Sequence, residues 1–327
     1  MVFMHRFLIL ISLLFFSAQL LFSQPGDSIV SRRYHELSAS WDNDALMNTD
    51  YYYTQGLMTQ IVLPCLEKNP INHLFFHIKN ARNYFGFAVA QEMFTPINIE
   101  DTLIISNDRP YAGVLYVRSL KVSNCQGVRL KFTSEFDLGI LGSASGAGYV
   151  QKTIHEINGL IPPNGWSYQI QNMPYINYNV MIDKGIAESP GFSELLYSAK
   201  ARIGTIYDDI QFGLKVRTGL INSYFDGVTI QDRSLNSHRD IQAYFYGGAS
   251  GKAVLYNTLL TGGMFSSGNP HVLNYDEMSH FVYSCNMGIF LAYKGVGAKF
   301  EFFGQSPEFA GGLYHGWFTT AAVISFY

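Results

Sequence analysis

The sequence predicts an all-β fold, a twelve-stranded antiparallel transmembrane β-barrel, and three observations carry that expectation. Hydrophobic residues alternate with period two over runs of ten or more residues, long enough for a tilted membrane crossing and longer than an ordinary globular strand. Charged residues make up only 14% of the 327-residue chain, while aromatics reach 15%, with 22 Tyr and 25 Phe. After the N-terminal leader no stretch approaches the length of continuous apolar sequence that a transmembrane helix needs, so a chain of this composition would cross a membrane with strands.

The elements follow in order. Residues 1–23 carry His5 and Arg6, then an apolar run interrupted by Ser17 and Gln19, with small Ser23 before Gln24. This reads as a secretory signal peptide rather than an anchoring helix, and with no Cys after the run it does not suggest a lipoprotein anchor. Residues 24–327 are expected to form one barrel domain. Strands are expected near 34–42, 54–63, 83–93, 111–122, 127–141, 174–184, 194–205, 208–218, 239–257, 279–293, 295–304 and 315–327. In 128–140, Val128, Leu130, Phe132, Phe136, Leu138 and Ile140 share one face, and Arg129, Lys131, Thr133, Glu135 and Asp137 the other. In 281–293 the apolar face is Phe281, Tyr283, Cys285, Met287, Ile289, Leu291 and Tyr293. The 239–257 run contains Gly247, Gly248 and Gly251 and could divide, but counting it once keeps the strand number even, as bacterial barrels require. Ser325-Phe326-Tyr327 ends the chain on aromatics, as outer-membrane barrels commonly do.

Other classes are disfavoured. Cys65, Cys125 and Cys285 are odd in number and far apart, giving neither a disulfide framework nor a metal-site spacing. A formal net charge of −3 does not suggest a nucleic-acid partner.

One stretch, 139–169, breaks the alternation. A short helix is expected there, at about 146–160, in an extracellular loop, with Gln151 and His155 four apart on one face. His155 could serve as a general base at neutral pH or be a hydrogen-bonded packing residue. Ser145 fits a helix N-cap better than a nucleophile, since its surroundings are not G-x-S-x-G. Two further clusters stand at strand ends. Asp42-Asn43-Asp44 and Asn48-Thr49-Asp50 supply oxygen ligands suited to a hard cation, although Asn and Asp also favour turns on backbone grounds alone. Asp108-Arg109 leads into the fourth strand and could be a solvated ion pair.

Taken in order, Asn43-Asp44, Tyr53-Thr54-Gln55-Gly56-Leu57, Asp108-Arg109-Pro110-Tyr111-Ala112-Gly113, Gly142, Gln151, His155, Gly159, Gly165-Trp166 and Gln169 resemble the lipid A 3′-O-deacylase family of outer-membrane barrels. The resemblance is carried by 34–185; the C-terminal half matches mainly as strand pattern. It implies a hydrolase that removes an ester-linked acyl or acyloxyacyl chain from lipid A, embedded as a monomer in the outer membrane of a Gram-negative cell. Its site would lie at the outer rim, between the barrel wall and a helix. His155, with Gln151 and Asn43, would be catalytic; Asp44 and Thr54 would hold Ca²⁺; Arg109, Tyr111 and Trp166 would meet the substrate. The sequence departs from relatives in two places. The loop 95–107 lacks a lysine, and Ile161 and Pro162 stand where relatives carry an acid after the histidine. The alternatives are a non-catalytic barrel, porin or surface-binding, and an outer-membrane phospholipase. One geometric requirement follows from the main reading: His155 and Asp44 must share a cavity.

Overall fold

Alternation along the chain becomes twelve strands in the computed structural model, which describes residues 29–235, 239–263 and 268–326. The expected signal peptide, 1–23, lies outside them. The strands are β1 (His35–Asn43), β2 (Tyr52–Val62), β3 (Arg82–Thr95), β4 (Ala112–Cys125), β5 (Leu130–Leu141) and β6 (Met173–Ser189). They continue with β7 (Ser193–Gly204), β8 (Tyr207–Leu220), β9 (Ile241–Asn257), β10 (Phe281–Tyr293), β11 (Val296–Gln305) and β12 (His315–Phe326). Each pairs antiparallel with its chain neighbours, and β12 returns to β1, from Phe318 opposite Asn43 to Phe326 opposite His35. Closure leaves these twelve without a free edge, which hydrocarbon would not tolerate. A two-residue strand, Ile29–Val30, adds a short parallel pairing to the start of β3, which the sequence pattern did not signal.

Two strands differ in extent from expectation: the one expected over 174–184 runs on to Ser189, and the one expected over 127–141 begins late. The strand expected over 127–141 starts at Leu130, because Gln126–Val128 form a tight turn and Arg129 takes a left-handed φ of 50°. The glycine-rich run is one 17-residue strand, paired on both sides, and its irregularity is a bulge at Val254/Tyr256 rather than a break at the glycines.

The period-two faces sort as a barrel in a membrane requires. Phe281, Tyr283, Met287, Leu291 and Tyr293 of β10 all point outward and are exposed. Inward residues are polar and matched. Arg118 meets Asp137 at 2.6 and 2.9 Å and Glu135 at 3.2 Å; Lys215 meets Asp183 at 2.8 Å; Arg217 meets Glu194 at 2.7 Å. Buried charges persist only when paired in this way.

Turn lengths orient the molecule. At the end holding both termini, three connections are tight (126–129, 190–192 and 294–295), as periplasmic turns are. Two others at this end are longer, 63–81 and 221–240, and the second, after β8, runs back across the lumen floor. There Val228 O accepts from Lys131 Nζ at 3.1 Å, Gly227 O from Asn124 Nδ2 at 2.8 Å and Ile230 O from Tyr34 Oη at 2.8 Å. Glu36 accepts the amides of Thr229 and Ile230 at 3.1 and 3.0 Å, and Ile230 packs on Phe290 and Val323. Above this floor lies a chamber of about 480 Å³ lined by Lys200, Lys215, Arg217, Lys299 and Glu301. The opposite, extracellular end carries the connections 96–111, 142–172 and 258–280, and in the second of these the expected helix, α1 (Ala147–Asn158).

Candidate active site at the outer rim

The helix lies on the outside of the wall. Phe87 and Val89 of β3, and Leu115 and Val117 of β4, face outward. By the same alternation so do Gln91, Met93 and Gly113, and these meet α1. Gln91 Nε2 donates to Ser145 O at 2.7 Å, and Met93 packs with Tyr111, Ala147 and Trp166. Close approach is possible because residue 113 is glycine: a Cβ there would sit 2.3 Å from that of Ala147. The N-cap is Gly146, in a left-handed conformation at φ 72°, not Ser145 as expected. Ser145 stands one residue earlier and donates its hydroxyl to Gly142 O at 2.6 Å.

On this helix Gln151 and His155 are buried on one face, as their spacing requires. Trp166 Nε1 donates to Gln151 Oε1 at 2.7 Å, and Gln151 Nε2 donates to Asp50 Oδ1 at 3.1 Å. His155 Nε2 lies 3.2 Å from Asp50 Oδ2. His155 Nδ1 lies 2.6 Å from the carbonyl of Ile161. A carbonyl only accepts, so Nδ1 carries the proton and Nε2 is the nitrogen that faces the site. Ile161 thus holds this nitrogen through its backbone carbonyl.

Asp50 belongs to the connection between β1 and β2. That connection starts with a turn at Ala45–Met47, ending on left-handed Asn48, and re-enters the sheet at Tyr52 with φ 63°. A tyrosine held there costs roughly 1–2 kcal/mol, retained by rings packed around it from Tyr51 and Phe309. Asp44 is buried beside it. Its Oδ2 accepts Thr49 Oγ1 at 2.9 Å and the Tyr51 amide at 3.2 Å. Burial pushes the Asp44 carboxyl up to about 8, Thr49 partly opposes this, and the Asp50 charge adds to it. Burial likewise raises Asp50, against the pull of His155 and Gln151. Among the described residues no Lys or Arg pairs with either acid. Thr54 is the extra residue of a β-bulge between Tyr53 and Gln55, and its hydroxyl is buried without a partner. Asn43 ties these pieces together: its carboxamide donates to Thr54 O at 3.0 Å and accepts the Ala45 amide at 2.8 Å.

Asp44, Thr54 and Asn43 of the first two strands are therefore linked to Gln151 and His155 through the segment that carries Asp50, the residue sequence reading did not single out. Tyr111 and Trp166 pack beneath α1, ring centroids 5.1 Å apart, and position Gln151 rather than lining an open surface. Arg109 is not in this group. It is 1% exposed inside the barrel mouth, 3.3 Å from Glu308 and against the Phe94 ring, so the expected substrate contact is replaced by a lumen ion pair. Asp108 does not pair with it as a solvated loop end would; its carboxylate accepts the amides of Ile97 and Arg109. Among the described residues no three His, Cys, Asp or Glu side chains converge as a metal cluster. The donors at hand are two carboxylates and the Thr54 hydroxyl.

Apolar side chains surround this cluster. Tyr149 and Ile157 on the free flank of α1 are each 78% exposed, and Leu46, Leu103, Leu160 and Ile161 are exposed nearby. A closed barrel with an apolar outer belt and a polar cluster on its lipid side defines an integral outer-membrane protein with a rim site. The sequence matches a family model described as "Outer membrane protein LpxR" over residues 8–323, and the chain belongs to that family. Its fold is similar to that of LpxR from Salmonella typhimurium, with a TM-score of 0.71 at 18% identity, covering 89% of this chain and 100% of that one. A fainter likeness, TM-score 0.41 at 9% identity, is to the β domain of the Bordetella autotransporter BrkA, covering 90% of this chain and 97% of that one. No curated protein sequence matches the chain.

Proposed function

We propose that the protein is a lipid A deacylase, hydrolysing an ester-linked acyl or acyloxyacyl chain in the outer leaflet with water activated by His155. The observation that carries this reading is the Asp50–His155–Ile161 array on the lipid side of the wall, bordered by exposed apolar residues. An ester presented from the leaflet meets that cluster without entering the lumen. His155 Nε2 accepts a proton from water as the water oxygen adds to the ester carbonyl. The proton then passes to the departing sugar oxygen as the acyl carbon–oxygen bond breaks. Ile161 keeps the ring's tautomer by holding Nδ1–H, and Trp166 fixes Gln151, whose amide holds Asp50.

The donors suit Ca²⁺: all are oxygens, two are carboxylates without a cationic side chain, and one buried hydroxyl lacks a partner. Asp44, Asp50 and Thr54 would hold the ion, with carbonyl and water oxygens completing its shell. When bound it would polarise the ester carbonyl and stabilise the oxyanion. The porin alternative is disfavoured by the loop across the lumen floor and by the paired charges inside. A serine-dependent phospholipase would need a Ser–His pair on the wall, and His155 meets Asp50 and Ile161 instead.

The test is mass spectrometry of lipid A from a Gram-negative host expressing the chain, with and without Ca²⁺, beside His155→Ala. The expected result is loss of one acyl or acyloxyacyl mass in the wild type with Ca²⁺ only. Unchanged lipid A throughout would overturn the reading. Mass loss that persists in His155→Ala would remove the mechanism and leave the fold.

A further inference from the structure

Asp50 stands between two demands. Its Oδ2 is 3.2 Å from His155 Nε2, while its Oδ1 takes the amide of Gln151 at 3.1 Å. Since Ile161 O closes the other ring nitrogen, both nitrogens of His155 face oxygen acceptors. In that arrangement the Asp50 carboxylate occupies the approach to Nε2 that a water would need. The contact opposes the very step assigned to the histidine.

The same carboxylate is next to the place that needs a positive charge. Tyr51, the residue after Asp50, donates its amide to Asp44 Oδ2, so the two acids flank one short stretch of backbone. Thr54, whose hydroxyl is unpartnered, is tied to this connection through its carbonyl, which accepts from Asn43, the residue before Asp44. Asp50 is also less confined than Asp44. Its side chain is 35% exposed, whereas Asp44 is buried, and it is held by the hydrogen bonds to His155 and Gln151. A side chain so held can exchange one partner for another at little cost.

We propose that Asp50 is a shared ligand: without a divalent cation it caps His155 Nε2, and a cation seated at Asp44 draws it away and frees that nitrogen. The inference rests on the calcium reading of the site. Cation binding and activation of the base are then one event, and His155 and the cation compete for Asp50.

Competition is measurable without turnover. Terbium, a calcium substitute, is titrated into the folded full-length barrel in detergent, and its luminescence is read through the neighbouring Tyr51 and Trp166. Four proteins are compared: wild type, Asp50→Asn, His155→Gln and the double variant, each checked as a closed barrel by its heat-dependent gel mobility. Asp50→Asn is expected to weaken binding about tenfold or more, as loss of a ligand does. His155→Gln is expected to tighten it severalfold, because Asp50 no longer has to leave the ring. In the Asp50→Asn background His155→Gln should change nothing. Asp50→Ser serves as a second variant should the asparagine protein not close. Equal affinity with and without Asp50, or a His155→Gln effect that survives removal of Asp50, overturns the proposal while sparing the calcium site. Absence of saturable terbium binding by the wild type overturns both.

Discussion

The lumen and the outer rim both bury acidic side chains, and they do so in opposite ways. In the lumen each acid of the main network faces a base: Asp137 with Arg118, Asp183 with Lys215, Glu194 with Arg217, Asp209 with Arg202. At the rim, Asp44 and Asp50 have hydroxyl, amide and imidazole neighbours, and one threonine hydroxyl has none. The first arrangement balances its own charges and holds the wall rigid. The second is incomplete, and an electrostatic deficit beside a histidine marks a site built for something that arrives.

That contrast can be broken from either side. Arg118→Ala would leave Asp137 and Glu135 without a cationic partner, with only the Asn179 carboxamide donating to both, costing about 3–5 kcal/mol of barrel stability. Denaturant titration followed by gel mobility should show that loss, with the lipid A product unchanged for whatever fraction remains folded. Asp44→Asn should do the reverse. On the proposed calcium reading it removes a cation ligand, so deacylation should fall by roughly 10²–10³-fold, as loss of one oxyanion stabiliser does, without loss of barrel stability. The third test is pH. With the Asp44 carboxyl pushed up to about 8 by burial, the cation-free rim is protonated at neutral pH, and cation binding must expel that proton. Affinity should therefore rise about tenfold per pH unit through the neutral range and level off above about 8, measured by terbium titration. The sign for the fold is opposite. A folded carboxyl raised above its unfolded value favours folding fully at pH below about 4, and that contribution is lost as pH rises to about 8. Cleavage of the 44–51 segment by protease should accordingly quicken with pH in chelator. The smallest effect is expected from Trp166→Phe. It leaves Gln151 Oε1 without its donor, worth about 1–3 kcal/mol, and should slow turnover about tenfold while the helix stays docked.

How much of this was legible before the structure follows from the range of the interactions. Strands are written in a period of two, and a lipid wall enforces it, so all twelve fall within a few residues of expectation. Gln151 and His155 share a helical face by spacing alone. Asp50 does not stand out within its oxygen-rich run, because its partners are 101 and 105 residues away and nothing local points to them. The signal available was modest: a second acid six residues after Asp44, across a turn, in the same loop. The burial of Arg109 is not legible because a charge at a strand end is ordinarily solvated. Ile161 could not be read at all, since it acts through its carbonyl.

The position of α1 on the lipid side has a further consequence, for access. An enzyme that drew a saturated acyl chain out of the leaflet into water would face about 0.8 kcal/mol for every methylene, or about 10 kcal/mol for a chain of twelve carbons. Here the flank of α1 that faces the hydrocarbon carries exposed Tyr149 and Ile157. On the proposed function, a lipid would reach the site by lateral diffusion in two dimensions, its chains never leaving their own solvent.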